Sequence, residues 1–167
     1  SSGNVASTTR TIIVEDTTPP VITLTGSSSI VIPFLSIYTD EGAVSSDTMD
    51  GNLTPNIQTV NPVNTNATST FTITYNVSDS SGNAAGEVIR TVIVEDNEPP
   101  TIVLYSGSEP PHEAGTPYID PGAEAFDNAD GNITERIVTT STVNTNQTGD
   151  YEVRYNVTDS SGNSAVE

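Results

Sequence analysis

The chain has 167 residues, with 22 Asp and Glu against four Arg and no Lys, and its net charge of −18 at pH 7 disfavours nucleic acid and anionic membrane surfaces and favours cations as partners. It has no Cys, which excludes thiolate chemistry and disulfide staples, and with 33% apolar and 5% aromatic residues its cores are modest, so reinforcement is expected from a metal or from neighbouring units. No apolar run approaches the roughly 20 residues of a membrane span, so no membrane insertion is expected of this segment, and with no signal peptide at Ser1 the chain reads as an excerpt.

The chain opens on SSGNVASTTRTIIVED, Ser1 to Asp16, which repeats as SGNAAGEVIRTVIVED at Ser81 to Asp96. The stretch TIIVEDTTPP at Thr11 to Pro20 returns as TVIVEDNEPP at Thr91 to Pro100, 80 positions later. A β-branched alternation that runs into Glu-Asp and stops at a double proline reads as a last strand followed by a stiff linker, because proline cannot donate to a ladder and holds the preceding residue extended. The period predicts three pieces: residues 1–16 as the last strand of a preceding or neighbouring unit plus linker, 17–96 as a complete domain, and 97–167 as a domain lacking its last strand.

Each unit begins with a short apolar strand, VITLTG at Val21 to Gly26 or TIVLYSG at Thr101 to Gly107. The segments 29–36 and 108–117 differ between units. A shared frame follows, Tyr38-Thr-Asp-Glu-Gly-Ala43 against Tyr118-Ile-Asp-Pro-Gly-Ala123, read as a strand with a bulge at Gly42 and Gly122 and with Asp40 and Asp120 in mid-strand. Then comes Asp-x-x-Asp-Gly-Asn-(Leu/Ile)-Thr, at Asp47 to Thr54 and Asp127 to Thr134, a tight loop. A short strand is expected near Ile57 and Ile137. The clearest strands are FTITYNVSD, with Phe71, Ile73, Tyr75 and Val77 on one face, and YEVRYNVTD, with Tyr151, Val153, Tyr155 and Val157. Each ends in Asp-Ser-Ser-Gly-Asn, a hairpin signal, at Asp79 and Asp159.

No stretch has helical periodicity, so the fold class is all-β: tandem antiparallel β-sandwiches of Ig-like type, two units on an 80-residue repeat. PPVITL, Tyr-x-Asp-(Pro/Glu)-Gly-Ala, DxxDGN(L/I)T, (T/R)YNV(S/T)DSSGN and RT(V/I)IVED together resemble the Ig-like repeats of large prokaryotic surface and adhesin proteins, a type also found in some bacterial pesticidal crystal proteins and similar in plan to cadherin and hyalin repeats. Glu41, where Pro121 has the usual residue, and SIVIPFLS depart from the pattern. The resemblance implies an extracellular or cell-surface location.

In a sandwich of that plan the loop after the second strand, the last hairpin and the chain entry share one end. Glu15, Asp16, Asp47, Asp50 and Asp79 then converge in the complete unit, and Glu95, Asp96, Asp127, Asp130 and Asp159 in the second. Carboxylates gathered in this way suit Ca2+, which takes 6 to 8 oxygen ligands in flexible geometry, with Asn52, Asn83, Asn132 and Asn163 as further donors. A lone Asp-Gly-Asn reads as turn chemistry alone. The linker pair recurring at the same offset as both loops reverses that preference. Asp40 and Asp120 are weaker candidates, outside the ligand set or simply exposed.

Six N-x-(S/T) sequons, at Asn52, Asn66, Asn76, Asn132, Asn146 and Asn156, fit glycosylation in a suitable host, or plain composition. His112 is the only histidine and has Ile32 as its counterpart, so it belongs to no repeated site, no catalytic centre is expected, and no deep cavity with converging polar groups. The chain is expected to be a non-enzymatic module of stalk, filament or surface-layer type, joined by calcium to neighbouring Ig-like domains of the same protein. The rival reading is an adhesin domain that grips a host or cell-surface glycan or protein. Thr9 to Val14 is expected to lie in a sheet ladder, either in a covalent array, which the Ser-Ser-Gly-Asn at both ends favours, or by strand donation between subunits.

Overall fold

A computed structural model of the chain describes residues 3–105 and 111–165. The stretch 106–110, which overlaps the start of the segment 108–117 expected to differ between units, and residues 166–167 lie outside it. The strands in chain order are β1 (Val21–Leu24), β2 (Ser29–Pro33), β3 (Ala43–Asp47), β4 (Gly51–Asn52), β5 (Gln58–Val60), β6 (Ser69–Asn76), β7 (Val88–Glu95), β8 (Thr101–Leu104), β9 (Ala123–Asp127), β10 (Gly131–Asn132), β11 (Val138–Ser141) and β12 (Val153–Asn156). Single 3-10 turns at Thr54–Asn56 and Thr134–Arg136 complete the regular structure among the described residues. None of the described helices is long and apolar enough to cross a membrane.

Period-two patterning produces these strands. Along β6, Ile73 and Tyr75 are buried while Thr70 and Thr72 face out; along β7, Arg90, Val92 and Val94 are buried while Ile89 and Glu95 face out. The sheets are antiparallel, with orders β1-β3-β4, β2-β7-β6-β5, β10-β9-β8 and β11-β12. Registers repeat with the sequence: Val21 lies opposite Ser46 and Thr101 opposite Phe126, Gln58 opposite Asn76 and Val138 opposite Asn156. The all-β antiparallel architecture read from the sequence is what the chain adopts.

Contacts group the chain into two compact units, Ser1–Ile30 with Thr39–Val63 and Thr72–Thr91, and Val31–Tyr38 with Asn64–Phe71 and Val92–Glu167. The boundary falls within β2, β6 and β7. The first unit buries Ile22, Leu53, Ile73, Tyr75 and Val77. In the second, Ala125, Ile133 and Val157 form the centre, with Ile102, Ile137 and Ala165 packed on it.

The frame around Asp40 differs from expectation. Tyr38 to Asp40 carries no strand, and β3 starts only at Ala43, because Gly42, with φ of 75°, takes the left-handed conformation that favours glycine. Gly122, with φ of 88°, does the same before β9. The anticipated bulge is a turn, and Asp40 is the partner of a buried charge. Arg90 is fully buried and pairs with Asp40; its Nε donates to Ser27 O at 2.9 Å and its Nη2 to the carbonyls of Thr25 and Gly42. Its guanidinium lies 5.9 Å from the centroid of Tyr75, whose hydroxyl donates to Asp40 at 2.7 Å. A buried arginine is tolerated only with its donors met in this way. Thr9 to Val14, expected in a ladder, has no strand pairing among the described residues, and Ile12, Ile13 and Val14 are 76%, 77% and 91% exposed.

Candidate metal centres

Three elements deliver one aspartate each to a common point, twice. Asp16 comes from the segment before β1, Asp47 from the end of β3 and Asp79 from the turn after β6; one carboxylate oxygen of each lies within 4.8 Å of the other two. Asp96, Asp127 and Asp159 make the same arrangement with the same limit. Every member of the second set stands 80 positions after its counterpart in the first.

Local hydrogen bonds explain how each side chain is aimed. Asp47 Oδ1 accepts the amides of Met49 at 2.7 Å and Asp50 at 3.0 Å, and Asp127 Oδ1 those of Ala129 at 2.9 Å and Asp130 at 2.8 Å. This is the Asx-turn chemistry of the loop, and Gly51 and Gly131, with φ of 73° and 71°, close it so that β4 and β10 fold back onto β3 and β9. The amides of Asp50 and then Met49 hold the Asp47 carboxyl below the usual carboxylate range, since they favour its charged form. Asp16 Oδ1 accepts the amide of Thr18 at 3.0 Å and Asp96 Oδ1 that of Glu98 at 3.1 Å.

The hairpin aspartates are held by their own asparagines. Asn83 donates its amide to Asp79 Oδ1 at 2.7 Å and its side-chain Nδ2 to Asp79 Oδ2 at 2.7 Å and Asp16 O at 3.1 Å. Asn163 repeats this on Asp159, at 2.8 Å for both bonds, and on Asp96 O at 3.2 Å. These two asparagines, expected as ligands, orient the aspartates and tie the hairpin to the segment that carries Asp16 or Asp96. Asn52 and Asn132 instead accept the amides of Thr54 and Thr134, both at 3.0 Å.

In each centre two carboxylate oxygens are left over. Asp16 Oδ2, Asp47 Oδ2, Asp96 Oδ2 and Asp127 Oδ2 are buried and have no hydrogen-bond partner among the described residues. Asp79, Asp96 and Asp159 are only 8%, 6% and 7% exposed. Buried carboxylate oxygens without a donor are costly, and like charges held this close repel one another. The donor set is oxygen alone, which suits a hard cation and offers nothing to a thiophilic one.

The other four carboxylates proposed from the sequence lie outside the two clusters. Glu15 and Glu95 are exposed, because adjacent residues in an extended chain face opposite ways and Asp16 and Asp96 take the inner side. Asp50 accepts the amide of Ser80 at 2.6 Å and its hydroxyl at 2.8 Å. Asp130 accepts the amide of Ser160 at 2.7 Å and pairs with Arg136 at 2.6 Å, and the hydroxyl and amide of Ser160 hold its carboxyl below the usual range. Both brace the loop against the hairpin.

A groove of about 610 Å3 in the second unit includes His112, Tyr118, Asp120, Asp150, Tyr151 and Tyr155 in its lining. His112 is edge-on to Tyr118, with centroids 5.5 Å apart, and hydrogen-bonds Thr116 Oγ1 at 3.0 Å.

Over 123 residues, 71% of its length, the chain is 34% identical to the pesticidal crystal protein Cry22Aa of Bacillus thuringiensis, and it spans 17% of that protein. Among solved structures it is similar to the lipoprotein BT2262 from Bacteroides thetaiotaomicron, with 22% identity, 47% of this chain and 39% of that one covered, and a TM-score of 0.43. It is also similar to a structure of CBM51-2 in complex with GlcNAc and INT domains from Clostridium perfringens ZmpB, with 24% identity, 53% and 21% covered, and a TM-score of 0.38. Residues 22–94 and 107–167 match the family described as bacterial surface protein, Ig-like domain, and the chain belongs to that family.

Proposed function

We propose that the chain is a non-enzymatic structural segment of a bacterial cell-surface or secreted protein, in which Ca2+ stiffens the segments that carry Asp16 and Asp96. The observation that carries this reading is the set of buried, partnerless oxygens on Asp16, Asp47, Asp96 and Asp127 at the two three-carboxylate clusters. Ca2+ suits them better than Mg2+, because two carboxylates held by loops and one on an extended segment leave the remaining positions to carbonyls and water at lengths a flexible coordination sphere tolerates. The ion would join a segment leading into β1 or β8 to the loop after β3 or β9 and to the hairpin after β6 or β12. Repeats stiffened in this way form a stalk or filament, and the family's surface assignment supports that setting.

The test is calorimetric titration of Ca2+ into chelator-stripped protein, with Mg2+ as control. Two sites are expected, with dissociation constants at or below about 1 mM, the range of extracellular modules. Asp79→Asn should remove one site and Asp159→Asn the other, each leaving its counterpart intact. No binding heat, together with identical melting in Ca2+ and in chelator, would overturn the reading.

A further inference from the structure

The two three-aspartate clusters are built alike but are not braced alike. In the second, the Glu98 side chain crosses from the segment that carries Asp96 to the loop after β9, where its Oε2 accepts the Asn128 side-chain amide at 3.0 Å. The Glu98 backbone amide donates in turn to Asp96 Oδ1 at 3.1 Å. Asp96 is therefore held in a ring that runs through Glu98 and Asn128 to Asp127, whose own Oδ1 is fixed by the amides of Ala129 and Asp130. In the first cluster Thr18 and Thr48 stand at the positions of Glu98 and Asn128. The Thr18 amide still donates to Asp16 Oδ1 at 3.0 Å, but threonine at both places supplies neither the carboxylate nor the side-chain amide of the strut. Both clusters keep the tie from the hairpin, Asn83 to Asp16 O and Asn163 to Asp96 O. The strut is what the second adds.

A ligand already standing in place loses less freedom when an ion arrives than one that must be ordered at that moment. Asp96 is such a ligand, 6% exposed with a buried, partnerless Oδ2 at the cluster. Glu98 and Asn128 are themselves exposed, so their bond is of the kind that supplies about 2- to 5-fold in an equilibrium. Arg136 also distinguishes the second cluster, replacing Asn56, but its charge is matched by Asp130 at 2.6 Å, and it braces the loop to Ser160 rather than to the segment of Asp96.

We propose that Glu98 and Asn128 are positioning residues that set the two centres apart in affinity, so that the second fills first and the segment around Asp16 is the one that loosens first as Ca2+ falls. This rests on the calcium reading given above and adds an order of filling to it.

The test uses single-site proteins, Asp159→Asn to report the first centre and Asp79→Asn the second. Calorimetric titration of Ca2+ should find the second about 2- to 5-fold tighter. In the Asp79→Asn protein, Asn128→Thr changes no charge and installs the residue that the first repeat already has; it should remove the margin. Glu98→Thr should do the same, and the two together should lose no more than Glu98→Thr alone, because the pair acts as one contact. Thr18→Glu with Thr48→Asn, made in the Asp159→Asn protein, should tighten the first centre by the same factor, a gain that general destabilisation cannot produce. In chelator, Asn128→Thr should speed amide exchange at residues 96–98 and leave 16–18 unchanged, a readout that needs no ion. Equal affinities of the two centres overturn this proposal and leave the calcium reading standing, as do additive losses at Glu98 and Asn128 or unchanged exchange in Asn128→Thr. No binding at either centre overturns both.

Discussion

Asp127→Asn separates a metal centre from a cluster of turn-forming aspartates, because the two readings predict opposite signs in chelator. In the second centre the facing oxygens of Asp96, Asp127 and Asp159 lie within 4.8 Å of each other. At an effective dielectric of 20, two unit charges at that spacing repel by roughly 3.5 kcal/mol, and neutralising Asp127 relieves two such pairs. Water and salt reduce that relief to a fraction of its nominal value. Asparagine keeps Oδ1 as acceptor for the amides of Ala129 and Asp130, so the cost is limited to turning two charge-assisted bonds into neutral ones, about 1 kcal/mol each. The metal-free variant should therefore melt at or slightly above the parent. In calcium the order reverses: an ion present at 100 times its dissociation constant stabilises the parent by about 2.7 kcal/mol, or about 11–22 °C for a unit of this size, and the variant loses that gain. Scanning calorimetry in chelator and in Ca2+ reads both signs. A variant less stable than the parent in chelator, with its calcium shift intact, would show that Asp127 serves only its loop and that the clustered oxygens do not constitute a site.

Three further outcomes follow from particular contacts. Arg90→Met leaves Asp40 without its buried cation and removes a donor from the carbonyls of Thr25, Ser27 and Gly42, so thermal melts should show the first repeat losing about 3–5 kcal/mol, and Asp40→Asn made in the Arg90→Met background should recover part of it. Asn163→Ala releases the Asp159 carboxylate and the tie to Asp96 O, which should weaken the second calcium site roughly 10- to 100-fold by titration without touching the first. The Tyr155 hydroxyl is pushed up to about 12, by burial first and by its bond to Asp120 second. Its folded value lies above its unfolded value near 10, so its stabilising contribution is complete below about pH 10 and is lost as pH rises toward 12, a slope that Tyr155→Phe should remove from alkaline melts read against 295 nm titration.

Much of the site was legible because the chain is written twice. The 80-residue period carried Asp16, Asp47 and Asp79 onto Asp96, Asp127 and Asp159 before any geometry was known. What the period could not supply was orientation. In Glu-Asp both residues are acidic, and only the buried phase of β7, with Val94 inward and Glu95 outward, decides that Asp96 turns in. In Asp-x-x-Asp the first aspartate captures the amide of the second, which leaves Asp50 and Asp130 facing Ser80 and Ser160. Arg90 was the hardest to read, since a lone arginine in an alternating strand suggests an outward charge. Its signal was present in the recurrence of Arg10 and Arg90, Asp40 and Asp120, and Tyr75 and Tyr155 at one offset.

The placement of the aspartates also bears on where the free energy of a bound ion would go. Two of the three carboxylates in each centre belong to loops whose shape is already fixed by backbone amides and by a left-handed glycine, so binding there orders little that is not ordered. The third, Asp16 or Asp96, stands on an extended segment of few hydrogen bonds that runs into a double proline, with Pro20 and Pro100 buried. The prolines restrict φ beyond the aspartate, whereas the aspartate itself is tied to the hairpin by one side-chain bond, from Asn83 or Asn163. An ion that adds one ligand from that segment to two from a rigid loop and hairpin spends its binding energy on the single element still able to move. Under the proposed function this predicts that calcium changes the stiffness at Asp16 and Asp96 more than the stability of either sheet. Amide exchange should therefore slow most at residues 15–18 and 95–98, and uniform slowing across β6 and β12 would place the effect in the cores instead.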